Sequence, residues 1–343
     1  MKKKSGIRRG ELSSKTRLLS ILREKKGEPL SGGILAKNLG VSRVAVWKTA
    51  QSLTEAGYLI ETEKRGYRLD PENEKDFIYP WEFGEKEKLF FHYKNTGSTM
   101  DRARELALNG AESGSVFTAE KQNAGRGRNG RTWISRQGGL FFSILERPRL
   151  TVADYSFFPL VTQIALARGI SSICGKKACL RWPNDVYISK KKIAGITTEI
   201  AGEGDLITWL TCGIGVNVNN PAPSLKATSC AEITGHHVSK REALVKILDE
   251  IDKVKKLFAA NAAYSQGNPS LAAEWNSLAD CIGVKAAVFE PENADENAIE
   301  KPGKILARGV FKGVDPGGRC ILDTEKTTLY FNQGSVSLAF LNP

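Results

Sequence analysis

Residues 125–133 read Gly-Arg-Gly-Arg-Asn-Gly-Arg-Thr-Trp. The glycines let backbone N–H groups approach an anion closely, and Arg126, Arg128 and Arg131 add permanent charge on forked donors suited to phosphate or carboxylate. A solvated basic turn, or an arginine-glycine segment touching nucleic acid, is the competing reading. Position favours a ligand loop, because the motif joins two apolar runs, Ser115–Ala119 and Leu140–Leu145, with the pattern of buried strands. Four shorter segments also carry chemistry: Ser98-Thr99, Gln122 at the end of Glu120-Lys-Gln, Trp182-Pro-Asn-Asp185, and Lys190-Lys-Lys192. Read alone, Ser98 is a helix cap, the Trp-Pro-Asn-Asp run is a turn, and the three lysines are a solvated hairpin tip.

The elements that must hold these residues follow from the local pattern. A strand over Leu89–Tyr93 leads through Asn95-Thr-Gly97 to a helix from Ser98 to Asn109, closed by Gly110. After the loop and its flanking strands, a helix runs from Phe157 to about Ile173, and a long strand region covers Leu206 to Val218. Helices over 239–260 and 269–278 precede five apolar runs: Val284–Phe289, Ile305–Val314, Arg319–Leu322, Thr327–Phe331 and Val336–Leu341. The polar, acidic stretch 291–302 between them reads as a flexible loop.

Composition narrows the class of protein. At 343 residues with 41% hydrophobic content, the chain has room for two or three domains with real cores. No apolar stretch approaches a membrane span and none follows the basic N-terminus, so no membrane is expected and a cytoplasmic location is. Six cysteines form no C-x-x-C pair and read as reduced, packed thiols. The three histidines, His92, His236 and His237, offer no zinc-ligand spacing, so any metal is expected to arrive with phosphate.

Charge is local. Residues 1–70 hold nine lysines and seven arginines against seven acids, so nine of the chain's twelve net positive charges sit there. Such a balance marks a nucleic-acid module on a nearly neutral body. Its pattern is a helix over Thr16–Arg23, a second capped by Ser31 and stopped at Gly40, and a third capped by Ser42 over Arg43–Ala56. A short hairpin with the tip Glu63-Lys-Arg-Gly66 follows as a wing. Ser42, Arg43, Lys48 and Gln51 on the third helix, with Lys64 and Arg65 at the tip, are the expected DNA contacts, while Trp47 beside Val46 reads as half-buried packing and not as a base contact. The segment Gly40-Val-Ser-Arg-Val-Ala-Val-Trp-Lys resembles the recognition segment of winged-helix repressors.

The central motifs closely resemble those of the biotin protein ligases. The likeness rests on Gly125–Trp133 after Ala119-Glu-Lys-Gln122, on Ser98-Thr99, Trp182-Pro-Asn-Asp185, Lys192-Ile-Ala-Gly-Ile and Gly213-Ile-Gly-Val-Asn217, in that family's order over roughly residues 90–220. With the basic module in front, the chain resembles the bifunctional ligase and repressor type. The resemblance implies an α+β fold: a winged helix-turn-helix over 1–70, a linker over 71–88, and a mixed-sheet catalytic domain over 89–280 related to class II aminoacyl-tRNA synthetase cores. An SH3-like β-barrel over 281–343 completes it.

It also implies a reaction in which biotin and ATP form biotinyl-5′-AMP and pyrophosphate, and a lysine of the biotin carboxyl carrier protein then takes the biotinyl group. Lys192, Arg128 and Asp185 would be catalytic, with Asp185 assisting Mg²⁺ or orienting the acceptor amine. Ser98, Thr99, Met100, Gln122, Arg126, Gly127, Arg128 and Lys192 would bind biotin. Gly125, Arg126, Arg128, Arg131, Arg181, Asn184 and Asn217 would meet the nucleotide and its phosphates. Trp133 would anchor the loop, which would stay mobile until biotin orders it. Operator DNA of biotin synthesis genes and a ligand-promoted homodimer are the other implied partners.

The sequence departs from the family at Arg181 (usually Lys), at Met100 (Asn in several members) and at Ala339, where Ser-Leu-Arg is common. No aromatic residue lies between Asn217 and Gly235 to stack on adenine. These departures motivate the rival reading of a dedicated biotin-sensing repressor with little ligase activity.

Overall fold

Serine caps open all three helices of the N-terminal unit in the computed structural model, which describes residues 12–71, 76–259, 267–290 and 304–341. Ser13, Ser31 and Ser42 accept the N–H groups of Thr16, Ile34 and Ala45, starting α1 (Ser14–Glu24), α2 (Gly32–Leu39) and α3 (Arg43–Glu55). Gly40 ends α2 in the left-handed region at φ 67°, where a side chain would be strained. The strands β1 (Ile60–Glu63) and β2 (Gly66–Leu69) form the expected hairpin, with Lys64 and Arg65 exposed at its turn. Leu18, Leu22, Leu35, Val46 and Leu53 fill the core between the helices.

The N-terminal unit extends through His92. The stretch expected to be a linker over 71–88 therefore behaves differently from residue 76 onward: Phe77, Tyr79 and Trp81 pack against the helical core. Trp81 Nε1 donates to the Tyr58 hydroxyl at 2.9 Å, that hydroxyl donates to Glu82, and Arg23 pairs with Glu82 at 2.9 Å. Burial and the neighbouring Glu82 push the Tyr58 phenol up from its ordinary value. Four aromatic residues in seven, Phe77, Tyr79, Trp81 and Phe83, are the sequence signal of this packing.

In the second unit, a seven-stranded sheet runs β3-β4-β5-β9-β8-β7-β6. Its strands and the helix within it are β3 (Phe90–Thr96), α4 (Thr99–Leu108), β4 (Ser115–Gln122), β5 (Leu140–Glu146), β6 (Cys179–Arg181), β7 (Asp185–Ile188), β8 (Lys191–Glu203) and β9 (Leu206–Val216). Backbone bonds Asn123 N–H to Thr96 O and Ala124 N–H to Gly97 O advance together, the parallel sense that a strand-helix-strand crossover gives. The pairs from β5 to β6 are antiparallel, so the sheet is mixed. The long β8–β9 hairpin was only half foreseen: β8 continues to Glu203, through residues not read as strand.

Helix α5 (Phe157–Cys174) packs against α7 (Lys240–Ala259) and α8 (Pro269–Leu278), with the short α6 (Cys230–Thr234) near its end. Gly169 permits the α5–α7 crossing, since a Cβ there would lie 3.1 Å from Ile247. The indole of Trp275 on α8 donates to buried Gln163 on α5 at 2.9 Å. Among the described helices, α5 is the one long and apolar enough to cross a membrane, and 72% of that window is buried inside the protein. All six cysteines are reduced.

The C-terminal runs form one five-stranded antiparallel sheet of order β13-β12-β11-β10-β14. Its members are β10 (Lys285–Phe289), β11 (Ile305–Val314), β12 (Cys320–Asp323), β13 (Thr328–Phe331) and β14 (Ser337–Phe340). The stretch read as a flexible loop, 291–302, lies outside the described residues.

Candidate active site

A cleft of about 730 Å³ gathers most of the predicted residues. Its wall takes Ser98, Thr99 and Met100 from the start of α4, Gln122 from the end of β4, and Arg126, Gly127, Arg128, Arg131, Thr132 and Trp133 from the loop. Arg181, Asn184, Asp185 and Lys192 come from the far edge of the sheet, and Phe289 and Ser337–Phe340 from the C-terminal sheet. Gly125 and Asn217, both predicted nucleotide contacts, do not line it.

At one end, short polar side chains hold each other in a chain. Ser143 donates to Thr99 Oγ1 at 2.8 Å, and the Thr99 backbone N–H and hydroxyl both donate to Gln122 Oε1, at 2.8 and 3.1 Å. Gln122 Nε2 in turn donates to Ser135 at 2.9 Å, which fixes which way the amide faces. Ser98 caps α4 by accepting the Met100 N–H, as spacing suggested, and keeps its own O–H to donate. Met100 is buried against Gly213, where a Cβ would lie 2.7 Å from its sulfur. Ser135 and Ser143 escaped the sequence reading, since isolated serines in a loop and a strand carry no pattern.

The Gly-Arg loop is folded onto the sheet. Gly127 N–H donates to Arg131 O at 2.6 Å and Trp133 N–H to Gly125 O at 2.8 Å, closing the loop into a small hairpin with a turn at Arg128–Gly130. A Cβ on Gly125 would fall 2.6 Å from Ser135 Oγ and Trp133 O, so the hairpin itself requires glycine here. The Trp133 ring rests on Gly195 and Gly215, partners across β8 and β9; a Cβ on Gly215 would come within 2.4 Å of it. Backbone bonds and the Trp133 ring thus fold the loop against the sheet.

The three arginines of the loop have different surroundings. Arg126 pairs with Asp101 at 2.7 Å and Glu199 at 3.4 Å, and Arg104 shares both carboxylates, so Arg126 latches the loop to α4 and β8. Arg131 is exposed on the cleft wall. Arg128 is largely buried, with a buried Nη2 that has no hydrogen-bond partner among the described residues. Burial lowers the affinity of its guanidinium for the proton, opposed by nearby Tyr155 and Asp185.

Opposite the loop, the turn after β7 places Ser189 and Lys190 in the left-handed region, at φ 49° and 64°, and brings Lys192 back into the cleft. Lys192 Nζ lies 2.7 Å from Asp185 Oδ1, a charge contact without hydrogen-bond alignment, and 5.4 Å from the Trp133 ring centre. Lys226 joins the wall because its segment runs beside Lys192, whose N–H donates to Lys226 O at 2.9 Å. Nothing in the sequence marked it.

Three predicted phosphate contacts are committed elsewhere. Arg181 makes a two-pronged pair with Asp280, at 3.0 and 3.1 Å, and stacks 4.3 Å over Tyr187, although its edge reaches the cleft. Burial and Asp185 push the Tyr187 phenol up to about 12. Asn184 donates to Ile196 O at 2.6 Å, clamping the turn. Asn217 is buried, donating to Thr228 O and accepting from Asn220, so it braces the segment that carries Lys226.

On the N-terminal unit, Ser42, Arg43, Lys48 and Gln51 are exposed on α3, as are Lys64 and Arg65 at the hairpin tip. Trp47, expected as half-buried packing, is 50% exposed, and Val44 is 62% exposed. The reason is helical phase: the buried stripe is Val46, Ala50 and Leu53, and residue 47 lies off it.

Comparison with known proteins agrees with this geometry. Residues 93–217 match the Biotin/lipoate A/B protein ligase family and residues 15–68 an HTH domain. The chain is 35% identical over 243 residues to the bifunctional ligase/repressor BirA of Bacillus subtilis, covering 67% of this chain and 75% of that one. To the bifunctional ligase/repressor BirA of Escherichia coli it is 26% identical over 328 residues, covering 91% and 94%. Among solved structures, biotin protein ligase from Aquifex aeolicus in complex with biotin and ATP superimposes with a TM-score of 0.59 at 27% identity, covering 74% of this chain and 99% of that chain.

Proposed function

This chain belongs to the biotin protein ligase family, and from that premise we propose how its cleft carries out the ligase reaction and how its N-terminal unit regulates. The protein is an ATP-dependent biotin protein ligase and a repressor. The observation that carries the mechanism is Arg128: a guanidinium on the cleft wall, held largely out of water, with a buried donor left unpartnered and no carboxylate pair among the described residues, is suited to receive an anion that arrives later.

A biotin carboxylate oxygen attacks the α-phosphorus of ATP, the bond to the β-phosphate breaks, and pyrophosphate leaves. Bringing a carboxylate to a triphosphate needs positive charge with water excluded. Arg128 and Lys192 supply it at the reacting centre, and Arg131 adds charge at the cleft wall. Ser98 donates to the biotin ureido ring, while the Ser143–Thr99–Gln122–Ser135 chain keeps the neighbouring donors and acceptors in fixed directions. Arg126 acts through its latch, holding the loop over the adenylate. The acceptor lysine amine of the carrier protein then attacks the acyl carbon, AMP leaves and an amide forms. ATP brings Mg²⁺ as part of the substrate, and Asp185, beside Lys192, is assigned to meet it or to orient the amine.

The helical unit with its exposed basic α3 and hairpin tip is read as a winged module for operator DNA, and adenylate-promoted dimerisation would link the two activities. The C-terminal sheet is read as the family's SH3-like barrel, the central sheet as a relative of class II synthetase cores, and the location as the cytoplasm. The test is direct. Purified protein with ATP, Mg²⁺ and biotin should release pyrophosphate and label an apo carrier protein; biotin binding with neither step would favour the dedicated repressor.

A further inference from the structure

The outward face of α3 carries two apolar side chains, Val44 and Trp47, that the fold leaves at least half exposed. Val44, Trp47, Lys48 and Gln51 recur at the spacing of one helical stripe and all are exposed, while Val46, Ala50 and Leu53 take the packing. At 62% and 50% exposure, Val44 and Trp47 reach water in the first two turns of α3, the third helix within the HTH match and the second of its helix-turn-helix pair. Those are the turns that reach base edges when such a helix enters a major groove.

The surroundings specify the occupant. Residues 42–52 contain no acid, the stripe's polar members are Lys48 and Gln51, and the whole 1–70 segment is strongly basic. The Arg43 guanidinium lies against Gly33, 2.9 Å from where a Cβ would be, which keeps this cation beside α2 and leaves the stripe's centre to Val44 and Trp47. Apolar groups centred in a basic frame complement the thymine C5-methyl, the apolar mark that a base pair shows in the major groove.

Resting on the DNA-binding reading above, we propose that Val44 and Trp47 read thymine methyl groups in the major groove and so set sequence choice, while Lys48, Lys64 and Arg65 supply phosphate affinity. Lys and Arg contacts to phosphate are indifferent to sequence; the apolar pair is not.

The experiment uses the full chain with biotin and ATP. Duplexes are selected from a random-sequence pool, and the best binder is resynthesised with deoxyuridine replacing each thymine in turn, which removes one methyl and nothing else. At two or more positions the wild type should lose about fourfold in affinity, the worth of one buried methyl-sized group. Val44→Ala and Trp47→Ala should bind the thymine duplex more weakly and lose the response to deoxyuridine at their own positions. Both positions are exposed, so folding, checked by the thermal midpoint, should be unchanged. Tolerance of deoxyuridine at every position overturns the proposal, as do variants that respond like the wild type. Selection of no duplex overturns the DNA-binding reading beneath it, whereas a selected duplex indifferent to methyl groups overturns the readout alone.

Discussion

Arg128 and Arg126 are identical in type and two positions apart, yet their environments divide the work. Arg128 is largely buried and has no carboxylate pair among the described residues, so Arg128→Ala should leave folding intact and speed loss of the adenylate by tens of fold, in line with the ~2 kcal/mol of a charge-assisted hydrogen bond. Dissociation of labelled biotinyl-5′-AMP measures this, and unchanged retention would remove the residue from its role. Gly215 makes a separate prediction. A methyl group there collides with the Trp133 ring, so Gly215→Ala should unseat the loop and expose its arginines to trypsin. A loop as resistant as the wild type's would show that the ring does not anchor it. The Arg-rich motif itself was plain in the sequence; which arginine is latched and which is left for an anion depends on Asp101, Glu199 and Asp185, all outside the motif.

Elements carry the next level of control. The latch joins the loop to the first turn of α4 and to β8 through half-exposed pairs, each worth on the order of 0.5 kcal/mol. Asp101→Asn should therefore raise adenylate release only about threefold, and added salt should shrink the difference between variant and wild type. A salt-insensitive effect would mean Asp101 acts through packing. Helix starts were legible because a serine followed by helical spacing is local chemistry, as at Ser31, Ser42 and Ser98. The extension of β8 to Glu203 was not, since its later residues gain strand structure from pairing with β9 and not from their own propensity. The aromatic run after residue 76 was misread for the same reason: a short segment with few periodic residues looks like a linker until a core is present to receive Phe77 and Trp81.

At the scale of the whole molecule, buried thiols tie stability to pH. Burial pushes Cys212, Cys281 and Cys320 up to about 12. The folded state thus keeps protons that the unfolded chain gives up from about pH 8.5. Their contribution is intact below that pH and is lost as pH rises toward 12, by up to about 1.4 kcal/mol per unit for each thiol. Urea unfolding at pH 8 and pH 10 should show the decline, and Cys212→Ala should flatten it; equal stabilities would contradict the assignment. Charge acts at the same scale. With most of the excess in the first 70 residues, DNA binding should weaken steeply with salt, while biotin affinity measured without ATP changes little. Parallel loss of both would place the basic charge at the ligand cleft instead.

Residue types and order by themselves determined the chemistry on offer and the family: glycines and arginines in one loop, a lysine before an apolar strand, a capped helix start, and a basic module in front. These are local properties, readable from side-chain chemistry and spacing. Tertiary structure alone decided which of those groups meet. It buried Arg128 with no carboxylate pair among the described residues, engaged Arg126 and Arg181 with acids 25 and 99 residues away, drew Asn217 out of the cleft, brought Lys226 to it, and left Val44 and Trp47 at least half exposed. Long-range pairing and helical phase set those outcomes, because a charge or an apolar surface takes its role from what the folded chain places against it.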